Sequence, residues 1–141
     1  MKVLFLDVDG VINPISFHHG SGFSGAACAN IQSVLDKDPE VRIVVSSAWR
    51  RWGIEKLKEI LKDNNIDSSK LEDITDTEGG LDPENRAEQI QRWLDKHKQV
   101  KQFVVIDDYP MPALDANAVK TNGYVGFTQK DADIALGILN K

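Results

Sequence analysis

The chain has 141 residues, a formal charge of −5 and a single cysteine. That length suits one domain with its own core over residues 1–141, the negative balance argues against a surface that coats nucleic acid, and a lone cysteine excludes an internal disulfide. The opening apolar run is too short to cross a membrane, has no small-residue cleavage site and ends in acids, so it is neither anchor nor signal peptide, and a cytoplasmic protein is expected.

Five of the six residues ahead of Asp7 are apolar, which predicts a central strand buried on both faces. Asp7 and Asp9 follow it, two positions apart, and in extended backbone they project to the same side before Gly10 lets the chain turn. Like charges so close call for a cation between them, and a divalent ion with oxygen ligands, magnesium first, answers that need. A solvated acidic turn satisfies the same string equally well. An EF-hand is excluded, because glycine stands at the fourth position of the loop and not the sixth.

Residues 13–25 show no period and read as an irregular excursion or short hairpin beyond the acidic turn. His18 and His19 fall there, and their adjacency suits a solvated loop better than metal ligation. Ser24 is an N-cap for a helix through Ile31 and Leu35 that stops at Asp38-Pro39, with Cys28 packed on it. Val41–Val45 is a second apolar run, and it delivers Ser46 and Ser47 at its end as the first delivers Asp7. Ser46 is thus both a phosphate-binding candidate and a helix N-cap candidate. Trp49, Arg50, Arg51 and Trp52 alternate rings and cations, a pattern that grips phosphorylated or nucleobase-bearing substrates or covers a core edge.

An amphipathic helix follows Gly53, and the polar stretch from Ser68 to Leu81 holds either a short edge strand or a loop at Leu71–Ile74. Asp82-Pro83 opens another helix with Ala87, Ile90, Trp93 and Leu94 inward. Arg86 then sits in the first turn, where a cation gains nothing from the helix dipole unless something anionic compensates it. Phe103–Ile106 is the third buried strand and ends in Asp107-Asp108. A last strand over Ala118–Thr121, a turn at Gly123 and a helix capped by Thr128 with Asp131 close the chain, with Ile134, Leu136, Ile138 and Leu139 in the core. Three strand ends tipped with acids or a hydroxyl share one location in a parallel sheet, and that concurrence favours a site over isolated turns.

This order of parts resembles the haloacid dehalogenase superfamily of phosphohydrolases along essentially the whole chain. Asp7-Val8-Asp9-Gly10-Val11 matches the family's first motif, Ser46 after Arg42-Ile43-Val44-Val45 the second, and Asp107-Asp108 the fourth. Arg86 stands at the third, where the family usually has lysine. The Ser-Ser-Ala-Trp-Arg stretch also resembles the small branch described from RNA-repair proteins.

The resemblance implies a single Rossmann-like three-layer α/β domain around a mostly parallel sheet, with no room for a large cap domain. It implies a magnesium-dependent phosphomonoester hydrolase in which Asp7 is the nucleophile that forms an aspartyl phosphate and Asp9 the acid and base. Mg2+ would be held by Asp7, Asp9 through its backbone carbonyl, and one or both of Asp107 and Asp108. Ser46, Ser47 and Arg86 would bind the phosphate. Trp49, Arg50 and Arg51 are the expected contacts for a nucleic-acid end, the alternative substrate being a small phosphate ester. A non-catalytic module that binds a phosphorylated partner, or a phosphotransferase, are the competing readings.

Overall fold

The computed structural model describes residues 1–15 and 22–141, so the reading of His18 and His19 lies outside the described residues. Among those residues one sheet is built from β1 (Lys2–Leu6), β2 (Val41–Val45), β3 (Leu71–Ile74), β4 (Gln102–Asp107) and β5 (Ala118–Lys120). The strands lie in the order β3-β2-β1-β4-β5 and every pairing is parallel. β1 is central, as its unbroken apolar run requires, because a parallel strand covered on both faces has no side to give to water. The ambiguous Leu71–Ile74 segment is one of the two edge strands.

Among the described residues four α-helices cover the sheet: α1 (Gly25–Lys37), α2 (Ile54–Asp63), α3 (Arg86–Asp95) and α4 (Gln129–Leu139). Side chains alternate along β1, so Leu4 and Leu6 pack with Ile31 of α1, Leu57 of α2 and Ala135 of α4, while Val3 and Phe5 face Ile90 and Trp93 of α3. Phe5 meets Trp93 edge-on at a centroid distance of 5.5 Å. The result is three layers, and no second domain interrupts them among the described residues. No helix there is long and apolar enough to cross a membrane.

Several local expectations meet their geometry here. Ser24 caps α1 by accepting from the Ala27 amide at 3.1 Å. Cys28 is buried on that helix, and burial pushes its thiol up to about 11, which leaves no thiolate for chemistry. The inward stripe of α4 is Ala132, Ala135, Ile138 and Leu139, whereas Ile134 is 45 % exposed, a correction to its expected core role. The small alanines let α4 sit close to α1, and Ile134 falls on the opposite face of that period.

Thr128 and Asp131 form a reciprocal capping box, the Thr128 hydroxyl accepting from the Asp131 amide at 3.1 Å and the Asp131 carboxylate from the Thr128 amide at 3.0 Å. Thr128→Ala is expected to lower stability by about 1 kcal/mol. A shift in the urea midpoint with an unchanged slope is the corresponding observation.

From β1 the chain winds outward through β2 to β3, then returns over the other face to β4 on the far side of β1. The order therefore reverses between β1 and β4. In open parallel sheets that reversal leaves a crevice at the carboxyl ends of the two strands.

Candidate active site

The strand register builds the crevice floor. Leu6 stands beside Val45 on one side and Ile106 on the other, and Val45 stands beside Ile74. The ladder runs one residue further, because the amides of Asp7, Ser46 and Thr75 donate to the carbonyls of Ile106, Leu6 and Val45. Thr75, Ser46, Asp7 and Asp107 thus form one row across four strand ends. Neighbours in register point to the same face. It is the face of Phe5 and α3, which is why Arg86 at the start of α3 reaches the row.

Arg86 Nη1 donates to both oxygens of Asp107 at 3.1 and 3.0 Å and lies 3.3 Å from Asp7 Oδ2. All three residues are buried. The anion that compensates a cation at this helix start is therefore a pair of carboxylates within the chain. Burial opposes the charge on Arg86, but Asp7 and then Asp107 outweigh it and hold it protonated above its ordinary range. Burial, followed by the charge of Asp107, raises the Asp7 carboxyl well above the usual carboxylate value despite Arg86. Asp107 is raised too, again chiefly by burial.

Asp108 completes the group: one oxygen from each of Asp7, Asp107 and Asp108 lies within 4.8 Å of the others. Its carboxylate rests against Gly10, whose φ is +81°, and against Gly123, two positions without a Cβ. Thr121 Oγ1 pins the same turn by donating to the Gly10 carbonyl at 2.8 Å. Three clustered carboxyl groups facing one guanidinium suit one hard divalent cation, whose charge would favour their ionised forms, and an all-oxygen donor set is the kind magnesium takes. Asp7 Oδ1, buried and without a hydrogen-bond partner among the described residues, is the atom that such a cation would satisfy.

The Asp9 carboxylate does not join this cluster. It turns outward and accepts from Trp49 Nε1 at 3.0 Å and Asn13 Nδ2 at 2.8 Å. Of the four expected metal-binding residues, Asp7, Asp107 and Asp108 gather their side chains; the ligand expected from Asp9 is its backbone carbonyl, which does not require its carboxylate to join them. Trp49 is thereby a support for Asp9, packed edge-on against Phe23 at 5.5 Å.

Ser46 and Ser47 divide the roles that the sequence left open. Ser47 is the N-cap of a short 3-10 turn over Ala48–Trp52, its hydroxyl oxygen accepting from the Trp49 amide at 3.1 Å. Ser46 is wholly buried, and its Oγ has no partner among the described residues. Arg50, expected at the surface as a substrate contact, points inward and is 2 % exposed. The tight 3-10 winding turns successive side chains by a third of a circle, which sends Arg50 under the turn while Arg51 and Trp52 stay outside.

Sequence reasoning missed Thr75, Thr121 and Gln89. Thr75 is buried with an unpartnered hydroxyl at the tip of β3. Assigning Leu71–Ile74 as a strand would have exposed it as a further polar strand tip. Thr121 and Gln89 carried no such signal, since their partners come from distant loops.

A three-layer parallel sheet with paired acids on the first strand tip, a hydroxyl on the second, a cation on the crossing helix and two acids on the fourth strand defines a haloacid dehalogenase-like domain. A family model described as the HAD domain in Swiss Army Knife RNA repair proteins matches residues 3–132, and the chain belongs to that family. No curated protein and no solved structure gives a significant match.

Proposed function

We propose that the protein is a magnesium-dependent phosphomonoesterase that works through an aspartyl phosphate and acts on a phosphorylated nucleic-acid end. The observation that supports this reading is the buried Asp7 carboxylate, one oxygen unpartnered, set between Arg86, Asp107 and the unpartnered Ser46 hydroxyl. Asp7 attacks phosphorus and forms the P–O bond of the intermediate while the bond to the leaving oxygen breaks. Asp9, held at the mouth by Trp49 and Asn13, gives that oxygen a proton and then takes one from the water that cleaves the aspartyl phosphate. Ser46 and Arg86 hold non-bridging oxygens, and Arg86 keeps the neighbouring carboxylates from repelling the substrate. Mg2+, held by Asp7, Asp107 and Asp108, supplies neutralisation of the phosphoryl charge when bound.

The family's description supports a nucleic-acid substrate, and so does the surface beside Asp9. Trp52 is 56 % exposed with the Arg51 guanidinium 5.0 Å from its ring centroid. It lies three residues after Trp49 on a 3-10 turn, where such residues eclipse about 6 Å apart. A base attached to a phosphate at Asp7 has a ring to stack on there.

Phosphate release from small esters and from 3′- or 5′-phosphorylated oligoribonucleotides, with Mg2+ or a chelator, tests the proposal. Metal-dependent release is expected, with oligonucleotides preferred. Trp52→Ala should raise KM for the oligonucleotide about tenfold and leave the small ester unchanged. No release from any substrate rejects the phosphatase, whereas release insensitive to Trp52→Ala rejects only the stacking.

A further inference from the structure

Arg50 is buried and forms no ion pair among the described residues. Its Nη1 donates to the carbonyl oxygens of Ser46 and Ser47, and its Nη2 to Gln89 Oε1. Gln89, wholly buried on α3, passes its own amide hydrogens to the carbonyls of Glu78 at 3.0 Å and Gly80 at 2.8 Å. One guanidinium therefore ties the end of β2 to the helix that carries Arg86, and through Gln89 to the loop ahead of that helix.

Enclosing a cation against neutral oxygens is unfavourable, and an apolar side chain of similar bulk ordinarily fills such a place at lower cost. Burial, and after it the charge of Arg86, pulls the Arg50 pKa down and outweighs the opposing charges of Asp76 and Asp7, so the surroundings on balance disfavour this charge. What the guanidinium does that a methionine cannot is hold two successive carbonyls with Nη1 and Gln89 with Nη2 of one planar group. Those carbonyls belong to Ser46, whose hydroxyl is buried without a partner, and to Ser47.

We infer that Arg50 is a positioning residue for phosphate recognition: by holding the Ser46 and Ser47 carbonyls and Gln89 together, it keeps the Ser46 hydroxyl turned into the carboxylate crevice, ready for a phosphoryl oxygen. The inference rests on the phosphohydrolase reading for the identity of the anion. Arg50 itself touches no substrate.

A double-mutant cycle on the full chain in Mg2+ tests it, with tungstate as the tetrahedral oxyanion and calorimetry as the readout. Ser46→Ala and Arg50→Lys are each expected to weaken tungstate binding about tenfold, the loss of one charge-assisted hydrogen bond. The double variant should bind no more weakly than Ser46→Ala alone, because Arg50 acts through Ser46. Losses that multiply, or an Arg50→Lys protein that binds as wild type does, overturn the inference. If Arg50→Lys does not fold, Gln89→Met loosens the same brace from the other end, and its loss must likewise vanish in the Ser46→Ala background. Wild type that binds no tungstate overturns the phosphohydrolase reading together with this one, whereas wild-type binding with multiplying losses overturns this one alone.

Discussion

Asp7→Asn is expected to lower phosphate release by at least about a thousandfold, because the amide neither attacks phosphorus nor carries charge to a metal. The same substitution is expected to stabilise the protein in chelator at neutral pH. The ionised Asp7 carboxylate is held against burial and against Asp107, and its raised pKa means that these outweigh the attraction of Arg86. As pH climbs from near 3.8, the unfolded chain gives up its proton first. Folded protein then binds more protons than unfolded, so stability falls with rising pH until the folded value is passed, by up to about 1.4 kcal/mol per pH unit for one proton. Asp107 adds to that trend, whereas Asp67 and Asp76, lowered by hydrogen bonds from Ser69 and Arg92, run the other way. Comparing wild type with Asp7→Asn cancels the contributions of Asp67 and Asp76 and isolates that of Asp7 with its coupled partner Asp107. Thermal melts between pH 4.5 and 7.5 without metal should show a decline in wild type that is shallower in the variant, and Mg2+ should raise only the wild-type curve. A variant that melts lower than wild type throughout rejects the account of Asp7 as a strained group.

Gly10→Ala has the second large effect. At φ +81° a side chain is strained by roughly 1–2 kcal/mol. Its Cβ would also overlap Asp108 Oδ2 and stand 2.5 Å from Asp108 Cγ. The carboxylate has to swing away, and Mg2+ affinity measured by calorimetry should fall about 10–100-fold with a lowered melting temperature. Gly123→Ala separates the two causes. Its Cβ would meet Asp108 Oδ2 at 2.7 Å without a positive φ, so Mg2+ binding should weaken while the melting temperature barely moves. Unchanged Mg2+ affinity in both variants removes Asp108 from the metal site.

The amino-acid sequence by itself determined the order of elements and the row of groups at the strand tips. Apolar runs too long for a one-sided strand placed β1, β2 and β4 inside a parallel sheet, and residues that directly follow such runs fall at its carboxyl edge. Asp7, Ser46 and Asp107 were legible for that reason. Caps at Ser24 and Thr128 were legible because capping is local, depending on residues three apart.

Tertiary structure decided which way each side chain faces and what it meets. Arg86 pairs with Asp7 and Asp107 because α3 crosses the face to which the strand register turns those acids, a relation that spans 79 and 21 positions of chain. Ser47 took the cap and left Ser46 unpartnered, Arg50 went under the 3-10 turn to Ser46 and Gln89, and Asp9 turned to Trp49 and away from the other acids. Nothing in the local pattern distinguishes an arginine that reaches solvent from one that braces two loops. That difference arises only when distant carbonyls and a buried amide are brought within hydrogen-bonding distance, because the enclosed groups must then find one another as partners.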